Sequence, residues 1–319
     1  MSYRFRTEVL GEGRRVGSVW RGRLVLKGYG DPSLTSLDLI RLANLLRRQG
    51  IRRVTGHIVG DASWFDARTL ATGWLPSFVG VDSPPLSALV VNRARRQGRP
   101  VADPPLAAAA LFDRILRTRG IAARDAVTGR AGSAAVTLAT VHSPPLPKLL
   151  ELMNRVSDNF TAEMALKAVG AEEIGNGSTA AGAAVVRRDL EAAGVPLTGV
   201  RVVDGSGLSR ADRVTAGELV SLLSVIWSTP SLRDIALAGL PVAGETGTLE
   251  HRMQYRPARG RVHAKTGTTD IASALSGYVD GRYVFALIEN GHPVDAERAE
   301  ASQDRFARAL VVAAQAAKR

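Results

Sequence analysis

The chain has 319 residues, of which 45% are hydrophobic and 23% charged, so it suits one large or two modest globular domains rather than a disordered chain. It has no cysteine, which excludes thiol nucleophiles, disulfides and cysteine-ligated zinc, and its five histidines show no metal-ligand spacing. The formal net charge is +12. Its arginines are spread along the sequence without interleaved aromatic residues, a pattern that a GC-rich genome alone would produce.

The first part of the chain predicts a β-hairpin. Residues 3–10 alternate like a strand, Gly11, Gly13 and Gly17 mark a turn, and residues 19–26 are extended. The glycine spacing resembles a dinucleotide-binding loop, but that loop requires a following helix, and a strand follows here. The further elements expected in this part are a helix at 36–49, a strand at 51–60, an irregular stretch at 61–103 and a helix at 103–120 capped by Asp103.

The second part, from about His142, predicts helices first, then antiparallel strands and a terminal helix. A capping box at Thr215 and Glu218 starts one helix, and Asp280-Gly281 predicts a hairpin turn. The expected helices are at 149–156, from 160 onward, at 178–193, after 215 and at 295–317; the expected strands are at 261–266, 271–279 and 282–288. This order is typical of an α+β domain rather than a βαβ repeat.

Two short motifs carry chemistry. Ser157-Asp158-Asn159 lies on a predicted turn between two helices, because these side chains compete for backbone hydrogen bonds. Lys265-Thr266-Gly267-Thr268 ends a predicted strand. S-D-N and K-T-G belong, together with S-x-x-K, to the motif set of penicillin-binding proteins and class A β-lactamases. Each motif is weak alone, and their order and local structure together favour a functional role.

Three of these residues fit the catalytic steps of acyl transfer. The Ser157 hydroxyl can pass on a proton without carrying charge, and the Asn159 amide can orient both a lysine and a substrate amide. Lys265 places a positive charge where a terminal carboxylate would dock. We therefore predict Ser157, Asn159 and Lys265 as catalytic residues.

The rest of the second motif fits substrate binding. The hydroxyls of Thr266 and Thr268 can share a carboxylate with the lysine. Gly267 lets a substrate backbone lie against the strand edge, where the Thr268 N–H can stabilise an oxyanion. We predict Thr266, Gly267 and Thr268 as substrate-binding residues.

Longer stretches resemble one family. They are Gly30-Asp31-Pro32-Ser33-Leu34, GDASWFD at 60–66, NRVSDNFTAE at 154–163, DGSGLSR at 204–210 and Gly247-Thr248-Leu249. In this order they resemble the D-alanyl-D-alanine carboxypeptidase/endopeptidase family of low-molecular-mass, class C penicillin-binding proteins, over nearly the whole chain. The DGSGLSR stretch is consistent with a tight turn, so Ser206 and Ser209 are not taken as catalytic.

The resemblance implies an α+β fold. We expect an incomplete penicillin-binding-protein/serine β-lactamase-like transpeptidase fold, in which helices flank an antiparallel sheet, with an inserted α/β module. Residues 1–141 would be this accessory module, in which the third domain of many family members is shortened or absent near 92–103. Residues 142–319 would be the C-terminal part of the catalytic domain.

The resemblance also implies the activity. We expect a serine-type D-Ala-D-Ala carboxypeptidase or endopeptidase that acts on peptidoglycan stem peptides through an acyl-enzyme and binds β-lactams. No cofactor, metal or nucleic-acid partner is implied. A full-length family member would be extracytoplasmic, although residues 1–10 show no signal-peptide pattern and no apolar stretch is long enough to cross a bilayer.

The nucleophile implied by the resemblance is not found in these residues. Family members carry it in an S-x-x-K motif upstream of the strand that begins near Tyr3, along with part of the sheet and a central helix. None of the five lysines here has a serine three positions before it. We expect the chain to be inactive as it stands, because its start is mis-assigned or cut, or because it is a remnant.

Other functions stay open at this point. A non-catalytic peptidoglycan-binding protein would keep the Lys265 carboxylate site without turnover. A nucleic-acid binder would rest on charge alone, since no helix-turn-helix, zinc or RRM signature is present. A β-lactamase would need a deacylating base, and the long inserted module favours a peptidase.

Overall fold

The computed structural model describes residues 2–317, and their contacts divide the chain into two compact units. The first unit comprises residues 1–146 and 160–182, and the second comprises residues 147–159 and 183–319. The chain therefore passes from one unit to the other at three places. Our division into 1–141 and 142–319 concerns function and stays a prediction.

The described residues form a mixture of strands and helices, which confirms the α+β class. The strands are β1 Arg6–Val16, β2 Val19–Gly28, β3 Arg53–Val54, β4 Ile58–Asp61, β5 Arg95–Arg96, β6 Arg99–Pro100, β7 Ala126–Thr128, β8 Val136–His142, β9 Val262–Thr268, β10 Ala272–Val279 and β11 Tyr283–Asn290. The helices are α1 Ser36–Arg48, α2 Pro104–Thr118, α3 Leu146–Val156, α4 Asn159–Ile174, α5 Thr179–Ala192, α6 Ala216–Ser228, α7 Pro230–Gly239 and α8 Ala296–Ala316.

The first unit is built on a mixed sheet with the strand order β7-β4-β2-β1-β8, beside which β3 also pairs with β2. The β1–β2 and β1–β8 pairs are antiparallel, whereas β2–β4 and β4–β7 are parallel. Helices α1 and α2 form the crossovers that parallel pairing requires. Their apolar faces pack on the sheet in one core, with Leu24, Leu39 and Phe112 among its fully buried side chains.

Two details of this sheet differ from the sequence expectation. The hairpin turn lies at Gly17-Ser18, and Gly13 is inside β1, where it pairs with Gly22 at φ +124° and +147°. A Cβ on Gly13 would overlap the Arg21 carbonyl oxygen, so glycine is needed there for close strand approach rather than for the turn. The single strand predicted over 51–60 is also wrong, because the stretch breaks into β3 and β4.

Residues 160–182 are held in the first unit by polar as well as apolar contacts. The Lys167 side chain on α4 is 1% exposed, and its Nζ contacts the Asp66 carboxylate at 2.5 Å. The Asp66 N–H donates to the Gly177 carbonyl at 3.1 Å, and the Tyr3 hydroxyl donates to Glu172 at 2.9 Å. A buried ion pair requires a close partner, so Asp66 fixes this helix on the first unit.

The second unit contains a three-stranded antiparallel sheet with the order β11-β10-β9. Asp280-Gly281 forms the β10–β11 turn, as the sequence predicted. Helix α8 covers one face of the sheet, and the core between them includes Val262, Leu275 and Val311. Strand β9 is therefore at one edge of this sheet, which determines the surroundings of its C-terminal residues.

Helix α6 carries apolar side chains on most of its circumference and the small residues Gly217, Ser221, Ser224 and Ser228 on the remaining face, and little of it is buried. Of its 13 residues Glu218 alone is buried, while Leu222 and Ile226 stay partly exposed. A cavity of about 290 Å³ adjoins it, lined mainly by apolar side chains that include Leu190, Leu197 and Leu222. The partly exposed apolar side chains of α6 and this cavity form a surface that is suited to further covering.

None of the helices within residues 2–317 is both long and apolar enough to cross a membrane.

Candidate active site

Ser157 lies at the end of α3 in a conformation that is unusual for serine. Its φ is +57°, and the Asp158 N–H donates to the Met153 carbonyl at 2.8 Å, which is the six-residue bond of a Schellman C-cap. Glycine normally occupies this position, because the left-handed region costs other residues about 1 kcal/mol or more. Backbone strain of this kind is concentrated at functional sites, which singles out the Ser157 hydroxyl.

Lys265 is brought to Ser157 from a distant part of the chain. It lies in the middle of β9, and its Nζ donates to Ser157 Oγ at 2.6 Å and to the Thr266 carbonyl at 2.7 Å. The structure thus joins two of the sequence-predicted site residues, 108 positions apart, by a direct hydrogen bond. A third, Thr266, contributes its carbonyl to the same ammonium group.

The ammonium group of Lys265 is partly withdrawn from water. Burial lowers the pKa of Lys265 from 10.5 to about 8, because desolvation disfavours the charged form. At neutral pH the group is still mainly protonated. It therefore presents a poorly solvated cation, which gains more from an arriving carboxylate than an exposed lysine would.

Within residues 2–317, no other segment forms backbone hydrogen bonds with the edge of β9 beyond Ala264. Residues 241–243 cover the first half of β9, where Ala264 N–H donates to Pro241 O and Ala243 N–H donates to Val262 O, both at 3.0 Å. These bonds show that the even-numbered residues of β9 direct their backbone N–H and C=O groups away from β10. In an antiparallel strand the backbone groups of successive residues point to opposite sides, so the odd-numbered residues face β10. The backbone groups of Thr266 and Thr268 continue along this edge beyond the covered part. An extended peptide could pair with them there.

Thr248 is a polar residue at this site that the sequence reasoning did not single out. Its hydroxyl lies 2.7 Å from the Thr266 hydroxyl, and either oxygen can be the donor. The neighbouring Gly247 has φ +62°, and a Cβ there would overlap the Arg155 carbonyl oxygen, two residues before Ser157. Gly247 thus lets the Thr248 loop pack between the end of α3 and β9. The resemblance of the Gly247-Thr248-Leu249 stretch to the family is the sequence feature that points to Thr248. Nothing in the neighbouring residues indicates that its hydroxyl contacts Thr266.

The remaining predicted residues lie nearby in the chain. Asn159 is the first residue of α4, two positions after Ser157 on the same turn, and is half-buried. Gly267 and Thr268 are exposed at the end of β9. The six predicted residues therefore lie on one turn and one strand end, which the Ser157–Lys265 bond connects. Their individual roles stay predictions.

The DGSGLSR stretch forms a turn organised around a buried carboxylate. Asp204 accepts hydrogen bonds from the Gly207 and Ser209 N–H groups, both at 2.8 Å, and from the Ser206 hydroxyl at 3.2 Å. Burial and the adjacent Asp204 raise the pKa of Asp212 to about 7. These contacts support a structural role for both serines of the stretch.

The same turn extends towards the end of β9. Arg210, its last residue, forms an ion pair with Asp270, which lies two residues after the strand. Both side chains are about half exposed, so the pair contributes little to stability by itself. It does connect the DGSGLSR turn to the loop that follows the predicted substrate-binding residues.

This architecture is that of a penicillin-binding protein. The crystal structure of penicillin-binding protein 4 from Haemophilus influenzae matches 97% of the chain and is matched over 85% of its own length, with a TM-score of 0.87 and 23% identity. A second crystal structure of that protein, in complex with a β-lactam, matches with a TM-score of 0.79.

The chain belongs to the D-Ala-D-Ala carboxypeptidase 3 (S13) family, whose sequence profile matches residues 1–99 and 92–312. A D-alanyl-D-alanine carboxypeptidase of an Actinomadura species is 32% identical over 90% of this chain. The carboxypeptidase DacB of Mycolicibacterium smegmatis is 31% identical over 84% of it. The matches span 69% and 64% of those relatives, so the chain covers about two thirds of their length.

Proposed function

We propose that the site is the substrate-binding part of a serine-type D-Ala-D-Ala carboxypeptidase or endopeptidase that acts on peptidoglycan stem peptides on the extracytoplasmic side. The observation that carries this proposal is the 2.6 Å bond between Lys265 and Ser157 beside an open strand edge. Membership of the carboxypeptidase family supports the reaction class. The chemistry would be acyl transfer through an acyl-enzyme, which β-lactams would also acylate.

The terminal carboxylate of the substrate would dock on β9. Lys265 provides the positive charge, and the Thr266 and Thr268 hydroxyls provide donors on the same strand. We propose that Thr248 has a positioning role here. If its hydroxyl donates to Thr266 Oγ1, the Thr266 proton is left to point at the carboxylate.

The scissile amide would lie along the open edge of β9. Its backbone would pair with the outward groups of Thr266 and Thr268, and the Thr268 N–H would stabilise the oxyanion of the tetrahedral intermediate. Ser157, held by Lys265, would pass a proton to the leaving nitrogen of the terminal D-alanine. Asn159 would orient the substrate amide from the other side of the turn.

The nucleophilic serine would come from polypeptide outside these 319 residues. No lysine here has a serine three positions before it. The partly exposed apolar surface of α6 and the adjoining cavity are suited to a further apolar segment packing on the second unit. Without that segment the chain would bind the substrate carboxylate and not turn it over.

The proposal is tested by binding and by acylation. The purified chain should bind a peptide ending in D-Ala-D-Ala, and not the same peptide ending in D-alaninol, in a calorimetric titration. Incubation with a fluorescent penicillin should give no covalent adduct by intact mass. The same incubation of a chain extended upstream to include an S-x-x-K segment should give one adduct per molecule.

The outcomes separate the alternatives. Peptide binding without an adduct in the extended chain would favour a non-catalytic peptidoglycan-binding protein. An adduct on the 319-residue chain would mean that one of its own serines attacks, with Ser157 the first to examine. Absence of peptide binding to a folded chain would overturn the proposed function.

A further inference from the structure

Some of the arginines that are spread along the sequence gather in space at one end of the first unit. Eight exposed arginines, which we call the arginine end, lie on the β1–β2 hairpin, the end of α1, β3 and the loop before β7. They are Arg14, Arg15, Arg21, Arg47, Arg48, Arg52, Arg53 and Arg124. They are eight of the 42 lysines and arginines of the chain.

Backbone contacts show that these segments are adjacent. Arg52 N–H donates to the Ser18 carbonyl in the hairpin turn at 2.8 Å, and Arg53 pairs with Val19 of β2. The Arg52 guanidinium donates to the Arg47 carbonyl at the end of α1 at 2.7 Å. Arg124 N–H donates to the Gly56 carbonyl, just after β3, at 3.1 Å. The arginine end is therefore formed by adjacent segments, with Arg14 and Arg21 on one face of the hairpin and Arg15 on the other.

The carboxylates near this surface are fewer than its arginines: they are Glu12, Asp113, and the exposed Asp125, which follows Arg124 in the chain. Glu12 pairs with Arg23 at 2.7 Å, and Asp113 pairs with Arg117 at 2.9 Å, so both are already engaged with arginines outside the set of eight. Arg14 and Arg21 are direct cross-strand partners. Like charges placed opposite each other destabilise a hairpin, so the pair is explained better by an external anion than by stability.

The shape of the hairpin and the side chains at its tip indicate which kind of anion this surface suits. The β1–β8 pairing ends at Gly11, so β1 continues beyond β8 through Arg14 and Arg15. Val16 lies beside the turn with 43% of its surface exposed. The tip therefore presents an apolar side chain next in sequence to Arg14 and Arg15. Trp20, the aromatic residue of this hairpin, is buried, so it gives no stacking platform for nucleic-acid bases.

We propose that the arginine end docks the protein on the surface of an anionic phospholipid bilayer. Guanidinium groups would bind headgroup phosphates, while Val16 would enter the interface between them. This association would be peripheral and reversible, and it would weaken with salt because the charges are exposed. The inference does not depend on the proposed catalytic function.

The test is co-sedimentation of the full chain with vesicles of 30% phosphatidylglycerol in phosphatidylcholine, compared with pure phosphatidylcholine, in 0.1 M NaCl. We expect binding to the first and not to the second. The variant with Arg14, Arg21, Arg48 and Arg53 each changed to Gln should bind the anionic vesicles at least about 30-fold more weakly. Val16→Ser, which keeps every charge, should weaken binding about twofold to threefold.

A matched control removes the same number of charges elsewhere. The variant with Arg96, Arg99, Arg305 and Arg308 changed to Gln, all at exposed positions, should lose less than about threefold. Equal losses in the two quadruple variants would overturn the proposal, because net charge alone would then explain binding. Stronger binding to a 20-base-pair DNA duplex than to the vesicles, lost in the first variant, would also overturn it in favour of a nucleic-acid partner. Thermal unfolding of each variant checks that it is folded.

Discussion

The two units use positive charge in opposite ways. At the arginine end of the first unit, eight cations are exposed to water, and each is weak alone. In the second unit one cation, Lys265, is partly buried, bonded to Ser157 at 2.6 Å and lowered in pKa to about 8. Anion binding at the arginine end would depend on how many arginines are present and how close together they lie. Anion binding at Lys265 would depend on the desolvation of its ammonium group and on the position of its hydrogen-bond partners. Changes in charge, pH and hydrogen bonding should therefore separate the two sites.

The largest expected effect comes from removing the buried cation. Lys265→Ala should weaken binding of the D-Ala-D-Ala peptide by at least about 100-fold, because a charge-assisted bond in a partly desolvated site is lost. Vesicle binding should be unchanged. Isothermal titration calorimetry measures peptide binding, and co-sedimentation measures vesicle binding. Lys148→Ala, which removes an exposed lysine paired with Glu151, is the control, and a comparable loss of peptide affinity there would contradict the role of Lys265.

The second largest effect should be a difference in pH dependence between peptide binding at Lys265 and vesicle binding at the arginine end. Because the pKa of Lys265 in the free chain is about 8, its protonated fraction falls above that pH, and peptide affinity should be about tenfold weaker at pH 9 than at pH 7. Arginines stay protonated over this range, so vesicle binding should not change. Titrations at half-unit steps would show it. Peptide affinity that is flat to pH 10 would mean that Lys265 does not bind the carboxylate as a cation.

A smaller effect should follow from losing the Thr248 hydroxyl. Thr248→Val keeps the shape, but it leaves the Thr266 hydroxyl without its 2.7 Å partner, and should weaken peptide binding about fivefold. Thr248→Ser should restore most of the affinity. The D-alaninol peptide, which lacks the carboxylate, should bind neither the parent chain nor the variant, so the fivefold loss is assigned to the carboxylate contact. No additional loss is expected when Thr248→Val is combined with Thr266→Val.

The smallest effect concerns stability. Ser157→Gly should relieve the left-handed strain at the end of α3 and stabilise the protein by up to about 1 kcal/mol, less the entropic cost of glycine. It should also remove the acceptor of the Lys265 bond and so weaken peptide binding. Chemical denaturation gives the stability, and titration gives the affinity. A destabilised variant would show that the Ser157–Lys265 bond outweighs the strain.

Much of the local structure could be predicted because its signals are local. Asp103 caps α2, Thr215 and Glu218 form the capping box of α6, and Asp280-Gly281 turns the β10–β11 hairpin. The turn at Ser157-Asp158-Asn159 and the strand with Lys265 were also predicted correctly. In each case the residues that determine the structure lie within a few positions of it.

The features that could not be predicted from the sequence are contacts between residues that lie far apart in the chain. Thr248 meets Thr266 across 18 positions, and Lys167 meets Asp66 across 101. The arginine end needs three separate segments to converge beside the hairpin turn, so it is invisible as a run in the sequence. Because glycine favours turns, the sequence predicts Gly13 in a turn, whereas in the structure it allows the close approach of two strands.

The interleaving of the two units limits how the protein can be taken apart. Because residues 160–182 are held in the first unit by contacts such as Lys167–Asp66, no single cut yields two self-contained pieces. A fragment that ends at residue 141 would leave the Asp66 carboxylate without its lysine, and the remaining fragment would carry an unpaired apolar stretch of α4. A fragment or a grafted domain that contains the first unit would therefore need to include residues 160–182 as well.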